Sequence, residues 1–171
     1  MKNLFRFVMV MVFLSATAAA YAGGLTDFSG KARTISDYTG HGKWLVVMFW
    51  AHDCKVCNRD VASKVQFFER HRNKNATVLG ISIDGKENRK GAIAFIRRHK
   101  VTFPNLIGEP QDVMNLFTRY TGDDFVGTPT FLIFDPQGKV RAEQAGAVPN
   151  SLIEDFIRKH SQHAAPGSSK T

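Results

Sequence analysis

Cys54 and Cys57, separated by Lys55 and Val56, are the only cysteines in a chain of 171 residues. A disulfide closing so short a loop removes little chain entropy from the unfolded state, so stability is a weak reason for the pair. Redox chemistry is a better one. Where such a pair opens a helix, the free N–H groups of the first turn stabilise a thiolate, the attacking species in thiol–disulfide exchange. Cys54 is then the nucleophile. Cys57, one turn along the same helix, is the more buried sulfur that attacks the mixed disulfide and releases the substrate.

Other chemistries of two close thiols need ligands this segment lacks. Haem attachment requires a His after the second Cys, where Asn58 stands. A zinc site requires two further good ligands, and His52 is alone, reading as an exposed loop residue. A copper-handling dithiol remains an alternative, since reduced thiols bind Cu(I) well, although no motif His or Met accompanies the pair. Peroxidase chemistry needs a Thr and Cys arrangement that is not found around Cys54. No metal and no cofactor is expected.

The elements that would hold the pair are legible from apolar patterning. Trp44-Leu45-Val46-Val47-Met48-Phe49-Trp50 has no polar residue on either face, which suits a central strand buried on both sides. Thr77 to Asp84 and Thr130 to Asp135 read as neighbouring strands ending at turns, and Lys139 to Gln144 as a hairpin partner giving the sheet an antiparallel edge. Leu25 to Tyr38 suits short strands and turns. Helical faces are predicted through Val61, Val65 and Phe68, through Ala92, Ile93 and Ile96, and over Gln111 to Tyr120. After Pro149, Leu152, Ile153, Phe156 and Ile157 make the apolar face of a closing helix, with acidic residues early and basic residues late as the helix dipole prefers. Strands alternating with helices imply an α/β fold around a central mixed β-sheet. The cysteines then sit at the carboxyl end of a buried strand, where such folds place reactive groups.

Lys2 and Arg6, an apolar run from Phe7 to Ala20 and the closing Ala20-Tyr21-Ala22 have the layout of a cleavable secretory signal, residues 1–22. The run is shorter than the ~20 residues a membrane span needs, which makes an uncleaved anchor the weaker alternative. A single domain over 23–160 and a disordered tail over 161–171 follow. Of 23 Lys plus Arg, removal of Lys2 and Arg6 leaves 21 against 15 Asp plus Glu, a formal charge of +6. That excess is scattered over helices, and no basic run with interleaved aromatics points to nucleic acid.

The segment Phe49-Trp50-Ala51-His52-Asp53-Cys54-Lys55-Val56-Cys57 resembles the active-site stretch of thioredoxin-like proteins, and the match is best with the exported, TlpA-like branch. Val78 to Asp84, Gly127 to Ile133 and Asp135 to Val140 are similar to further segments of that branch. The resemblance implies a thioredoxin-like fold and a cis peptide at Thr128-Pro129, with the Thr128 backbone pairing an extended substrate segment and Trp50 contributing to the same surface. It also implies a monomeric periplasmic reductase of disulfides in exported proteins, recharged by a thiol-transferring electron donor in the inner membrane. Cytochrome c maturation is one pathway that fits.

The chain departs from the pattern at several positions. Met48 stands where thioredoxins bury an acid, and Asp60 where exported relatives often carry Glu. Asp60 is expected to help deprotonate the dithiol, or else to favour the first helical turn by its charge. Asp53 and Lys55 act on Cys54 with opposite sign. The unusual Lys55-Val56 pair leaves oxidase or isomerase work open, because related folds span potentials from about −270 to about −120 mV.

Overall fold

The computed structural model describes residues 24–162; the expected leader lies outside them. In chain order the strands are β1 (Leu25–Asp27), β2 (Ala32–Arg33), β3 (Trp44–Trp50), β4 (Ala76–Ser82), β5 (Asn105–Ile107), β6 (Thr130–Phe134) and β7 (Val140–Ala145). The helices are α1 (Lys55–His71), α2 (Arg89–Arg98), α3 (Pro110–Thr121) and α4 (Asn150–Gln162). Among the described residues the strands form one sheet in the order β2-β1-β5-β4-β3-β6-β7. Pairing is parallel from β3 through β4 to β5 and antiparallel elsewhere, so the sheet is mixed.

All seven residues of β3 are buried, as a run without polar positions requires. Successive side chains of a strand point to opposite faces, so β3 supplies two cores at once. Val46, Met48 and Trp50 join a layer with Val61 of α1, Phe95 of α2 and Ile157 of α4. Leu45, Val47 and Phe49 join the opposite layer with Val113 and Phe117 of α3. Three helices thus cover one face of the sheet and α3 covers the other.

Differences from the sequence-based expectation are local. β4 stops at Ser82 rather than Asp84, whose carboxylate leaves the ladder to bind His52 and Ser82. The three residues of β5 carry too little pattern to mark a strand in the sequence, yet they link β1 to β4. On α4 the inward face is Ile153 and Ile157, whereas Leu152 is 60% exposed. That helix also runs two residues beyond the expected domain end at 160, where the Trp44 indole Nε1 donates to Ser161 Oγ at 2.9 Å. The remaining tail residues, 163–171, lie outside the described part.

Candidate active site

At the carboxyl end of β3 the Trp50 carbonyl still accepts from the Ile83 N–H at 2.9 Å, so the strand is held to its last residue. The chain then turns through Ala51, His52 and Asp53 into α1. Cys54 is the N-cap of that helix in an extended conformation (φ −64°, ψ 109°), and its sulfur accepts the Cys57 N–H at 3.0 Å. A sulfur in this place receives one of the four N–H groups that a helix start leaves unpaired, the arrangement that favours a thiolate. The two cysteines are joined as a disulfide, with Cα atoms 5.2 Å apart. Cys57 is 0% exposed, while Cys54 is only half-buried.

The antiparallel β6 delivers the second part of the site. Because Phe49 is opposite Thr130, the residues just before β6 lie beside the end of β3. Thr128-Pro129 falls there, joined by a cis peptide bond. The Thr128 carbonyl oxygen is 3.3 Å from Cys54 Sγ. Pro129 is buried and its carbonyl is taken by the Gly146 N–H at 2.8 Å, whereas Thr128 is half-buried. Val126, two residues earlier, is 77% exposed.

Two expected roles need correction. Trp50 is 1% exposed; its ring stacks on Phe95 at 4.3 Å and its Nε1 donates to Asn105 Oδ1 at 3.0 Å. So enclosed a side chain is a structural member of the core and does not meet a docking chain. Asp60 is not in the first turn of α1, which contains no acidic residue, so the helix-dipole account of it fails. It lies a turn deeper, with Oδ1 accepting from Lys64 Nζ at 3.1 Å and Ser63 Oγ at 3.0 Å. Asp53 and Lys55 are both exposed, so solvent screens their opposing effects on Cys54.

His52 also differs from an isolated loop residue. Its Nδ1 lies 2.6 Å from Asp84 Oδ1, and its backbone N–H donates to the same carboxylate at 3.1 and 3.3 Å. Ser82 Oγ donates to Asp84 Oδ2 at 2.6 Å, and the carboxylate is otherwise enclosed. Gly91 of α2 makes room for the imidazole: a Cβ there would lie 2.5 Å from His52 Cδ2. His52, Asp53 and Asp84 bring three potential ligand atoms within 4.8 Å of one another. Asn58, notable in the sequence only for not being His, braces the same turn. Its Nδ2 donates to the carbonyls of His52 (3.0 Å) and Cys54 (2.9 Å), and its Oδ1 meets Arg98 of α2 and His99, the residue that caps that helix, each at 2.8 Å. Burial and the neighbouring Arg98 cation push the His99 imidazole below its ordinary pKa.

Lys64 is the least expected neighbour, being 0% exposed on the inner face of α1. Burial lowers its ammonium pKa and the Asp60 carboxylate acts against that shift. The clue was available in the spacing, since Cys57, Val61, Lys64 and Phe68 follow the 4-3-4 rhythm of an inward helical face.

The AhpC/TSA family pattern matches residues 17–143. Thiol-disulfide oxidoreductase ResA of Geobacillus kaustophilus is 25% identical over 143 residues, covering 83% of this chain and 74% of that protein. The crystal structure of the thioredoxin domain of a thiol-disulfide oxidoreductase from Bacteroides vulgatus superposes with a TM-score of 0.63 at 24% identity, over 79% of this chain and 91% of that one. A secreted disulfide oxidoreductase of Mycobacterium tuberculosis, described as homologous to E. coli DsbE, gives 0.59 at 19% identity over 78% and 92%. These structural likenesses speak for the thioredoxin-like fold. With a close Cys54/Cys57 pair at the mouth of α1, the chain belongs to the AhpC/TSA family, as a TlpA-like thiol:disulfide oxidoreductase of the thioredoxin superfamily.

Proposed function

We propose that this protein is exported to the periplasm by cleavage of residues 1–22 and works there, as a monomer, reducing disulfides of exported proteins. The observation that carries this reading is the asymmetry of the two sulfurs: Cys54 half-exposed and capped by a helix N–H, Cys57 enclosed behind it. In the reduced form the Cys54 thiolate attacks one sulfur of a client disulfide, forming a mixed disulfide and expelling one client thiolate, which takes a proton. Cys57 gives up its proton and attacks the Cys54 sulfur. The internal disulfide forms, the second client thiolate leaves, and two electrons have passed to the client.

Thr128, half-buried beside Cys54, holds the client backbone against the start of β6, with Pro129 shaping that loop. Asp60 receives the Cys57 proton. Asp53 and Lys55 trim the Cys54 thiolate by opposing charges. The disulfide form is recharged by a membrane dithiol donor. The secreted relative from M. tuberculosis supports export, and no helix among the described residues is long and apolar enough to cross a membrane.

The test has two arms. Cys54→Ser is expected to abolish exchange of model disulfides, while Cys57→Ser performs the first attack and accumulates a mixed disulfide visible by mass spectrometry. Equilibration against glutathione gives the direction: a potential near that of thioredoxin, about −270 mV, supports reduction, and one near −120 mV assigns the protein to oxidation instead.

A further inference from the structure

Lys64, buried, and Asp60, partly buried, form an ion pair on α1, Asp60 standing three residues after Cys57. Lys64 Nζ is within bonding distance of Asp60 Oδ1 (3.1 Å), Ser63 Oγ (2.9 Å), the Val148 carbonyl (2.6 Å) and Asn150 Oδ1 (3.3 Å), and it lies 5.2 Å from the centre of the Phe131 ring. With three protons to donate, the ammonium is fully accommodated. Asp60 is not. Its Oδ1 takes the Lys64 and Ser63 donors, while its Oδ2 is buried without a hydrogen-bond partner, the one side-chain polar atom so left among the described residues. An enclosed carboxylate oxygen without a donor costs free energy, and such an atom calls for an explanation. Cys57 precedes Asp60 by three residues, a separation that places Cβ atoms on a helix ~5–6 Å apart.

We propose that Lys64 is a positioning residue for the dithiol: by holding Asp60 ionised through Oδ1 within the apolar layer, it keeps Oδ2 open to receive the proton that Cys57 releases. The inference rests on the reading of Asp60 as proton acceptor given above. Without the ammonium, Oδ1 loses its cationic partner at 3.1 Å and the apolar layer disfavours a charged carboxylate, so Asp60 is a poorer receiver of the Cys57 proton. Burial alone draws the Lys64 pKa down, and among the described residues Asp60 is the charged side chain that opposes this. The other groups around Nζ are neutral: Ser63 of α1, the Val148 carbonyl and Asn150 at the start of α4, and Phe131 of β6. In the step itself the proton passes from Cys57 Sγ to Asp60 Oδ2 and later to solvent. The Cys57 thiolate bonds to the Cys54 sulfur, the client thiolate departs, and Lys64 stays protonated throughout.

The experiment measures single-turnover release from the mixed disulfide between pH 5 and 9 for the full mature chain, K64M, D60N and D60N/K64M, with a model protein disulfide. K64M is expected to move the acid limb upward by about one pH unit, roughly tenfold slower at a fixed pH on that limb, while D60N/K64M matches D60N. A folded K64M whose profile superimposes on the parent, or an equal shift produced by K64M in the D60N background, overturns the proposal. A D60N profile identical to the parent removes the Asp60 reading itself; a slow D60N beside an unaltered K64M removes only the part assigned to Lys64. Should K64M not fold, K64Q, uncharged yet able to donate to Val148, carries the same comparison. A purely structural role lowers the melting temperature and leaves the acid limb in place.

Discussion

Asp84→Ala is the most informative perturbation of the frame that aims Cys54. The Asp84 carboxylate, 7% exposed, accepts from the His52 backbone N–H (3.1 and 3.3 Å), the His52 ring (2.6 Å) and Ser82 Oγ (2.6 Å). A hydrogen bond to a charged group contributes about 1.5–3 kcal/mol, so three of them set an upper bound several kcal/mol high. Two effects reduce it. Removing the carboxylate also removes the cost of burying a charge, and water can reach the vacated space from the His52 side, whose side chain is 30% exposed. Ser82, at 0% exposure, has no such relief: its oxygen still accepts the residue-84 N–H at 3.1 Å, but its O–H is left without an acceptor. The balance is a loss of roughly 2–4 kcal/mol, which for a domain of this size lowers the melting temperature by roughly 6–15 °C.

Urea unfolding of the oxidised protein measures the loss, with Asp53→Ala as control. The Asp53 carboxylate belongs to the same cluster but is exposed, and its removal is expected to change stability by no more than about 0.5 kcal/mol. Because the turn carrying Cys54 hangs on the His52 N–H, D84A should also slow exchange of a small model disulfide, by roughly tenfold. If D84A costs less than 1 kcal/mol, or no more than D53A, the carboxylate does not carry the turn and the reasoning fails.

Two further outcomes test the same frame and the surface. Gly91→Ala places a methyl group 2.5–2.8 Å from three ring atoms of His52, so the ring must swing off Asp84 and the variant should lose about 1–3 kcal/mol, read from urea midpoints at unchanged slope. Additivity between G91A and D84A, in place of a double mutant no worse than D84A alone, would show that the ring contact is not what G91A breaks. Asp27 is held at a pKa of about 2, foremost by the Ser29 hydroxyl, against an ordinary 3.8. A depressed folded pKa gives stability that is complete above the ordinary value and disappears as pH falls toward about 2. Asp27→Asn should therefore flatten that part of the stability profile and leave the neutral region's pH dependence unaltered, as followed by urea midpoints from pH 5 to 2.

How far the chain discloses this architecture depends on whether the information is local. β3 is plain because seven apolar residues leave no solvent face, and the cysteine pair is plain because its spacing fits one helical turn. The family resemblance points Trp50 to the substrate surface, although strand parity puts it on the face of Val46 and Met48, inside the core. Lys64 hides because a charged residue suggests solvent, even where the 4-3-4 spacing points inward. The His52 and Asp84 partnership is invisible at a separation of 32 residues until the register of β3 against β4 is known. That register pairs Trp50 with Ser82, and each partner then follows its strand end by two residues.

The two cysteines differ in surroundings although both lie in one short segment, and helix geometry together with strand direction supplies the difference. Cys54, as N-cap, lies outside the helical turn and keeps part of its surface in solvent; Cys57, the third residue of α1, points into the layer under β3. The same Cys57 whose sulfur is enclosed gives its backbone N–H to the Cys54 sulfur, so burying one sulfur and capping the other are consequences of a single turn. Strand direction then decides what stands opposite. Because β6 runs against β3, its first residues, and with them Thr128 and Pro129, meet the end of β3 where Cys54 emerges. A parallel β6 would place that loop at the far end of the sheet, beside Trp44, and the sulfur would face no backbone on which an extended client could be laid.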